Sequence, residues 1–219
     1  VTSRSLDAFR HYVRGRSLLM SSQWVEARGE LEAAIAADSN FVMAYVDLTG
    51  ACFNLEDYPC IGAAYAHALR LRPRAAPREQ LNIDLIGAIV NDQNEQQIRI
   101  ASELLQTDPE GAFWRYALGR GYYFSGRYRE AVDAWQPLLE RRWKWVWTNI
   151  YMSDALCRLK RYDEALAALE PGWELVDESR TDLRATLFRF RGRIHSDRGD
   201  YELASADFDA AERLRPGYE

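Results

Sequence analysis

Apolar side chains recur along the chain at intervals of three, four and seven, the spacing of amphipathic helices with one buried stripe each. The stripes are interrupted at short polar or glycine-bearing breaks: Glu56-Asp57, Ser125-Gly126 and Arg198-Gly199-Asp200. The pattern predicts an all-α chain of helices joined by tight turns.

The helices repeat as pairs. An aromatic stands three residues before Ala in QWVEA (Gln23 to Ala27), GRYREA (Gly126 to Ala131), RYDEA (Arg161 to Ala165) and GDYELA (Gly199 to Ala204). In EDYPCI (Glu56 to Ile61) the same place holds Ile. The aromatics Trp24, Tyr58, Tyr128, Tyr162 and Tyr201 lie 34, 70, 34 and 39 residues apart, so the gap of 70 holds one further unit centred near Asn94. Twelve residues before the Ala position comes a small residue, Gly15, Gly119, Ser153 or Gly192; four after it comes a large apolar one, Leu31, Tyr65, Trp135, Leu169 or Phe208. Three further on stands Ala34, Ala68, Leu138 or Ala211, and Pro73, Pro109 or Pro216 follows. The small residue and the Ala are expected where two helices cross closely. Proline ends the second helix, because it lacks the amide donor that the ladder needs.

This 34-residue pattern resembles the tetratricopeptide repeat, most closely over Ala112 to Trp145, where Leu118-Gly119, Tyr122, Tyr128, Ala131 and Trp135 are all in register. The resemblance implies a right-handed superhelical solenoid of about six hairpins forming a single array over 1–219. Repeats are expected to start near Ala8, Val42, Arg78, Ala112, Val146 and Ala185. The third is expected to be irregular, with Leu85 and Gln97 at the small positions, Asn94 in place of the aromatic and a two-residue insertion before it. About five extra residues near 174–184 lengthen a helix or loop.

In this family the first helices of the hairpins line the partner-binding groove. Carried over by position, the groove residues are Tyr12, Arg16, Phe53, Tyr116, Arg120, Tyr123, Phe124, Trp147, Arg158 and Arg189. Aromatic rings and Arg are the side chains enriched at binding hot spots. The resemblance therefore implies a non-catalytic scaffold that takes an apolar or amphipathic peptide or helix, with acidic groups held by Arg. Many of these rings also suit packing between hairpins, and for Trp143-Lys144-Trp145-Val146-Trp147 packing between repeats four and five is the expectation. Chaperone-tail recognition is not expected: Tyr12, Arg16, Val46 and Gly50 replace the Lys or Arg and paired Asn of that subtype.

Composition narrows the picture further. A net charge of −5, with no long basic run, speaks against nucleic acid. The cations are almost all Arg, only Lys144 and Lys160 being Lys, and Arg makes forked contacts to carboxylates. No apolar run is long enough to cross a membrane, and the opening VTSRSLDAFRHYVRG has no signal-peptide core. Cys52, Cys60 and Cys157 lack metal-ligand spacing and are expected as small buried thiols of a reducing compartment, hence a cytoplasmic location. The absence of an initiating Met suggests a piece of a longer protein. His11, His67 and His195 fall in different repeats, and no nucleophile, phosphate-loop or dinucleotide motif is present. No enzyme activity, cofactor or metal is expected. Repeats one and two also look like the arrays of bacterial multi-domain regulators, serine/threonine kinases and transcriptional activators among them, implying a recruitment or sensory module. Homodimerisation through the groove or an array end, and small-ligand sensing, are the alternatives.

Overall fold

The computed structural model describes residues 3–217. Among them are twelve α-helices: α1 (Leu6–Met20), α2 (Trp24–Ala37), α3 (Val42–Asn54), α4 (Tyr58–Leu71), α5 (Pro77–Val90), α6 (Asn94–Thr107), α7 (Ala112–Phe124), α8 (Tyr128–Glu140), α9 (Val146–Arg158), α10 (Tyr162–Leu175), α11 (Thr181–Arg198) and α12 (Tyr201–Leu214). They pair as six hairpins, so the fold is all-α and built of helical repeats, as the periodicity predicts. The chain forms two compact units, one ending at Gly111 and one beginning at Ala112. In the first, α2 packs on α3, and both α3 and α4 meet α5; in the second, α8 packs on α9, α10 on α11, and α9 touches both α7 and α11.

All six hairpins reverse the chain by the same device. A residue with positive φ stands at Ser22, Glu56, Asp92, Gly126, Lys160 and Gly199. The amide that follows it donates back to the helix: Gln23 to Leu18, Asp57 to Cys52, Gln93 to Ala88, Arg127 to Tyr122, Arg161 to Leu156 and Asp200 to His195, each at 2.9–3.0 Å. This is the Schellman closure, which satisfies carbonyls that a helix end leaves unpaired. Only two of the six positions are glycine, although the conformation costs other residues about 1–2 kcal/mol.

The helix crossings follow the spacing read from the sequence. Ala27, Ala131 and Ala165 are completely enclosed and Ala204 nearly so. A methyl group on Gly15 would meet Leu31 Cγ at 2.8 Å, and one on Gly192 would meet Phe208 Cε1 at 2.8 Å. At Gly119 it would fall within the indole of Trp135, which is fully buried and donates Nε1–H to the Tyr116 carbonyl at 3.1 Å. The third hairpin departs from this rule. Its close approach is at Gly87, against the Tyr65 ring of the preceding hairpin, while Leu85 and Gln97 are buried.

Helices α4, α6 and α12 end two residues before Pro73, Pro109 and Pro216. Pro137 and Pro171, by contrast, lie inside α8 and α10. The chain added before the sixth hairpin lengthens α11 to 18 residues.

The cysteines differ from expectation. Cys157 is a buried free thiol, but Cys52 and Cys60 form a disulfide between α3 and α4, with Cα atoms 5.8 Å apart. The last turn and a half of α3 and the first turn of α4 are brought together by the hairpin turn, a proximity that sequence spacing alone does not reveal.

Candidate functional site

In the second unit, the first helices of three consecutive hairpins present one face. On α9, Trp147, Tyr151, Asp154 and Arg158 are spaced four, three and four residues apart and so share a stripe. Tyr151 is the hub of the rings: its centroid lies 5.2 Å from Tyr123, 5.7 Å from Phe124, 5.5 Å from Trp147 and 6.3 Å from Trp135. Phe124 remains exposed, and Trp147, Tyr151 and Tyr123 are half-buried.

Beside the rings, Asp154 is 1% exposed. A carboxylate so enclosed requires compensation, and three groups supply it. The Tyr123 hydroxyl of α7 donates to it, Arg193 of α11 pairs with it, and Arg158 Nε approaches at 3.6 Å from the next turn of α9. Both side chains are partly exposed, Arg158 at 50% and Arg193 at 38%, although Nε and one terminal nitrogen of Arg193 are enclosed, and Arg193 stacks on Phe190 at 4.7 Å. Burial, the largest influence, raises the pKa of the Tyr123 hydroxyl, so it stays a donor. Next to this group the Cys157 thiol donates to Asp197 at 3.2 Å; burial first, then Asp197, push its pKa up to about 12.

Several residues expected to contact a partner are enclosed by the protein itself. Tyr116 packs among Phe113, Trp143 and Trp145, with the Trp145 ring 5.2 Å away. Arg120 is 6% exposed and lies over the Phe124 ring at 4.6 Å. Arg189 is half-buried on α11. The tryptophan-rich segment joins hairpins four and five, Trp143 stacking on Trp145.

In the first unit the expected residues make a smaller cluster. Tyr12 is buried against Phe41 with centroids 4.6 Å apart; Arg16 lies over Tyr12 and reaches Asp47 of α3 at 3.3 Å. Burial raises the Asp47 pKa, while Arg16 acts in the opposite sense. Phe53 is half-buried on α3. Asp154, Tyr151 and Arg193 organise the second-unit face. Asp154 and Arg193 stand at the repeat position that Arg16 and Arg120 hold in their own repeats, so the register alone carries them into the groove; Tyr151 lies outside those positions, and its signal was the helical stripe it shares with Trp147 and Arg158.

The histidines stay apart. His11 bonds Glu30 at 2.7 Å, His67 stacks on Tyr45, and His195 lies 3.8 and 3.9 Å from Asp200 and Asp207. Among the described residues no group of three or more His, Cys, Asp or Glu side chains is arranged to hold a metal, and no helix is long and apolar enough to cross a membrane.

No protein-family model and no curated protein matches the sequence. Solved structures do match in fold. Similar are the Cut9–Hcn1 hetero-tetramer of the APC/C (TM-score 0.70, 17% identity, 97% of this chain against 41% of that one) and PilW, a type IV pilus biogenesis factor (0.63, 12%, 97% and 95%). YrrB, described as a TPR protein with an unusual peptide-binding site, is similar as well (0.56, 18%, 86% and 93%). The fold is tetratricopeptide-like. At 12–18% identity the likeness is one of fold. The shared tetratricopeptide-like architecture accounts for the hairpin pairing and the glycine crossings, while the ring and guanidinium chemistry of α7, α9 and α11 is read from this chain's own side chains.

Proposed function

We propose that this chain is a non-catalytic scaffold that binds a peptide or helix of a partner protein across the first helices of its hairpins, chiefly α7, α9 and α11. The observation that carries the reading is the second-unit face itself. Exposed Phe124 and half-buried Tyr151 and Trp147 stand beside two partly exposed arginine side chains held by one buried acid. Rings contribute apolar area, and Arg158 and Arg193 offer donors to acidic groups of the partner. The half-exposed Arg16 on α1 adds a donor of the same kind in the first unit. The peptide-binding site named for the similarly folded YrrB agrees with this reading.

The same proposal makes the chain a recruitment or sensory part of a larger regulator. A cytoplasmic location is a separate proposal, tested by fractionating the source cells; recovery of the protein in the membrane or exported fraction refutes it.

The functional test compares capture of partners from the source lysate by the wild type and by a Phe124→Ala/Arg158→Glu variant whose circular dichroism is unchanged. Hydrogen-exchange protection on α7, α9 and α11 then maps the contact. A protein held by the wild type alone, with protection on these helices, supports the reading. Equal capture by both chains, or protection elsewhere, refutes it. A concentration-dependent mass with no captured protein would mean homodimerisation, and a rise in melting temperature with small ligands alone would mean ligand sensing.

A further inference from the structure

The Cys52–Cys60 bridge sits in a repeat that does not depend on it. The matching positions in the fourth and fifth hairpins are Tyr122 with Glu130 and Leu156 with Glu164, and those hairpins close by the same turn, with an amide-to-carbonyl bond of 2.9 Å against 3.0 Å here, without any cross-link. The bridge spans only eight residues, so it removes less freedom from the unfolded chain than a long-range link would. Its two sulfurs are unequal. Cys52 is completely enclosed on α3, whereas Cys60 is half-buried in the first turn of α4, the side from which a small molecule can approach the bridge.

The turn between them also links hairpins. Asp57 accepts from the Cys60 amide at 3.0 Å and from Arg28 of α2 at 2.7 Å, joining the second hairpin to the first. Phe53, one of the expected groove residues, adjoins Cys52 in sequence.

We propose that Cys52 and Cys60 form a reversible thiol–disulfide site, with Cys60 as the sulfur at which a small-molecule thiol enters. The attacking thiolate bonds to the Cys60 sulfur; the sulfur–sulfur electron pair leaves on Cys52, which takes a proton from solvent. A second thiolate attacks the small-molecule sulfur of the mixed disulfide and expels the Cys60 thiolate. Two thiols are thereby oxidised to one small disulfide while the protein bridge is reduced to two thiols. Re-formation runs the same steps backwards with the oxidised small molecule. Reduction removes the covalent tie between α3 and α4 beside the turn whose Asp57 holds α2, while the Asp57-to-Cys52 backbone bond keeps the hairpin closed.

The test equilibrates the native full chain with mixtures of reduced and oxidised glutathione, quenches with acid, alkylates free thiols and maps the peptides by mass spectrometry. Expected are a bridged form in oxidising mixtures, a dithiol form in reducing ones, glutathione on Cys60 rather than Cys52, and an unmodified buried Cys157. In a Cys52→Ala variant the glutathione adduct accumulates on Cys60; in Cys60→Ala, Cys52 stays unmodified. Oxidation raises the thermal midpoint of the wild type by roughly 3–8 °C and leaves the Cys52→Ala/Cys60→Ala variant unmoved. Absence of the bridged mass in oxidising buffer, resistance of the bridge to glutathione until the protein unfolds, or an adduct on Cys52 would each overturn the proposal. The wild-type map needs no variant to fold.

Discussion

Replacing Gly15 and Gly29 by Ala, one at a time, separates the crossing geometry from simple helix propensity. Both glycines lie inside helices of the first hairpin, Gly15 in α1 and Gly29 in α2. Either change should gain about 0.5–1 kcal/mol from the lower backbone entropy of Ala. Around Gly29 nothing lies within 4 Å of the added carbon, so that gain should appear in full. At Gly15 the methyl meets Leu31 Cγ at 2.8 Å, Leu31 Cδ2 at 3.0 Å and the Ala27 carbonyl at 3.4 Å. Leu31 is completely enclosed and Cγ is not a flexible tip, so relief requires the two helices to part, at about 1–3 kcal/mol. The two variants should therefore differ by about 1–3 kcal/mol, with Gly29→Ala the more stable. At roughly 2–4 °C per kcal/mol for a chain of this size, their midpoints should differ by roughly 2–12 °C. Far-UV circular dichroism melts and urea titrations measure this. Gly119→Ala should be costlier still, since the rigid Trp135 ring occupies the space. Equal gains at Gly15 and Gly29 would refute the assigned crossing.

Lys160 holds a left-handed conformation at φ 59°, so Lys160→Gly should stabilise the second unit by about 0.5–1 kcal/mol in urea titrations. Cys157 makes stability fall with rising pH. The folded thiol keeps its proton up to about 12 against an ordinary 9.0, so its contribution is complete below pH 9 and is lost as pH climbs towards 12. Cys157→Ser should remove that slope between pH 9 and 10.5 in paired denaturation curves; parallel curves would contradict the buried thiol. In the native wild type, Cys157 should also resist iodoacetamide at pH 8.5 and react once unfolded.

The hairpins were legible because close helix crossings demand small residues at a fixed interval, and Gly15, Gly119 and Gly192 record that demand directly. The turns were only partly legible: Gly126 and Gly199 announce a left-handed residue, but Ser22, Glu56, Asp92 and Lys160 do so poorly, their strain being offset by the closing hydrogen bond. Pro73, Pro109 and Pro216 marked helix ends from the sequence, whereas Pro137 and Pro171 lie inside α8 and α10. The Cys52–Cys60 bridge was hidden because the turn, rather than any helical spacing, brings the pair together. The site was legible as a set of positions and not as an environment. Whether Arg120 meets solvent or a ring depends on Phe124 one turn on, and the enclosure of Asp154 depends on α7 and α11 closing over it.

The repeated left-handed turn has a consequence for how the chain can be edited. Each reversal completes its closing backbone hydrogen bond within six residues, whatever side-chain pairs, such as Arg28 with Asp57, reach the turn from elsewhere. A whole hairpin can therefore be duplicated or excised without leaving a chain reversal unsatisfied, so the cost of such editing falls on the faces that stack. Array length and turn chemistry become separate variables, and a designer could alter the number of hairpins while leaving every bend as it stands.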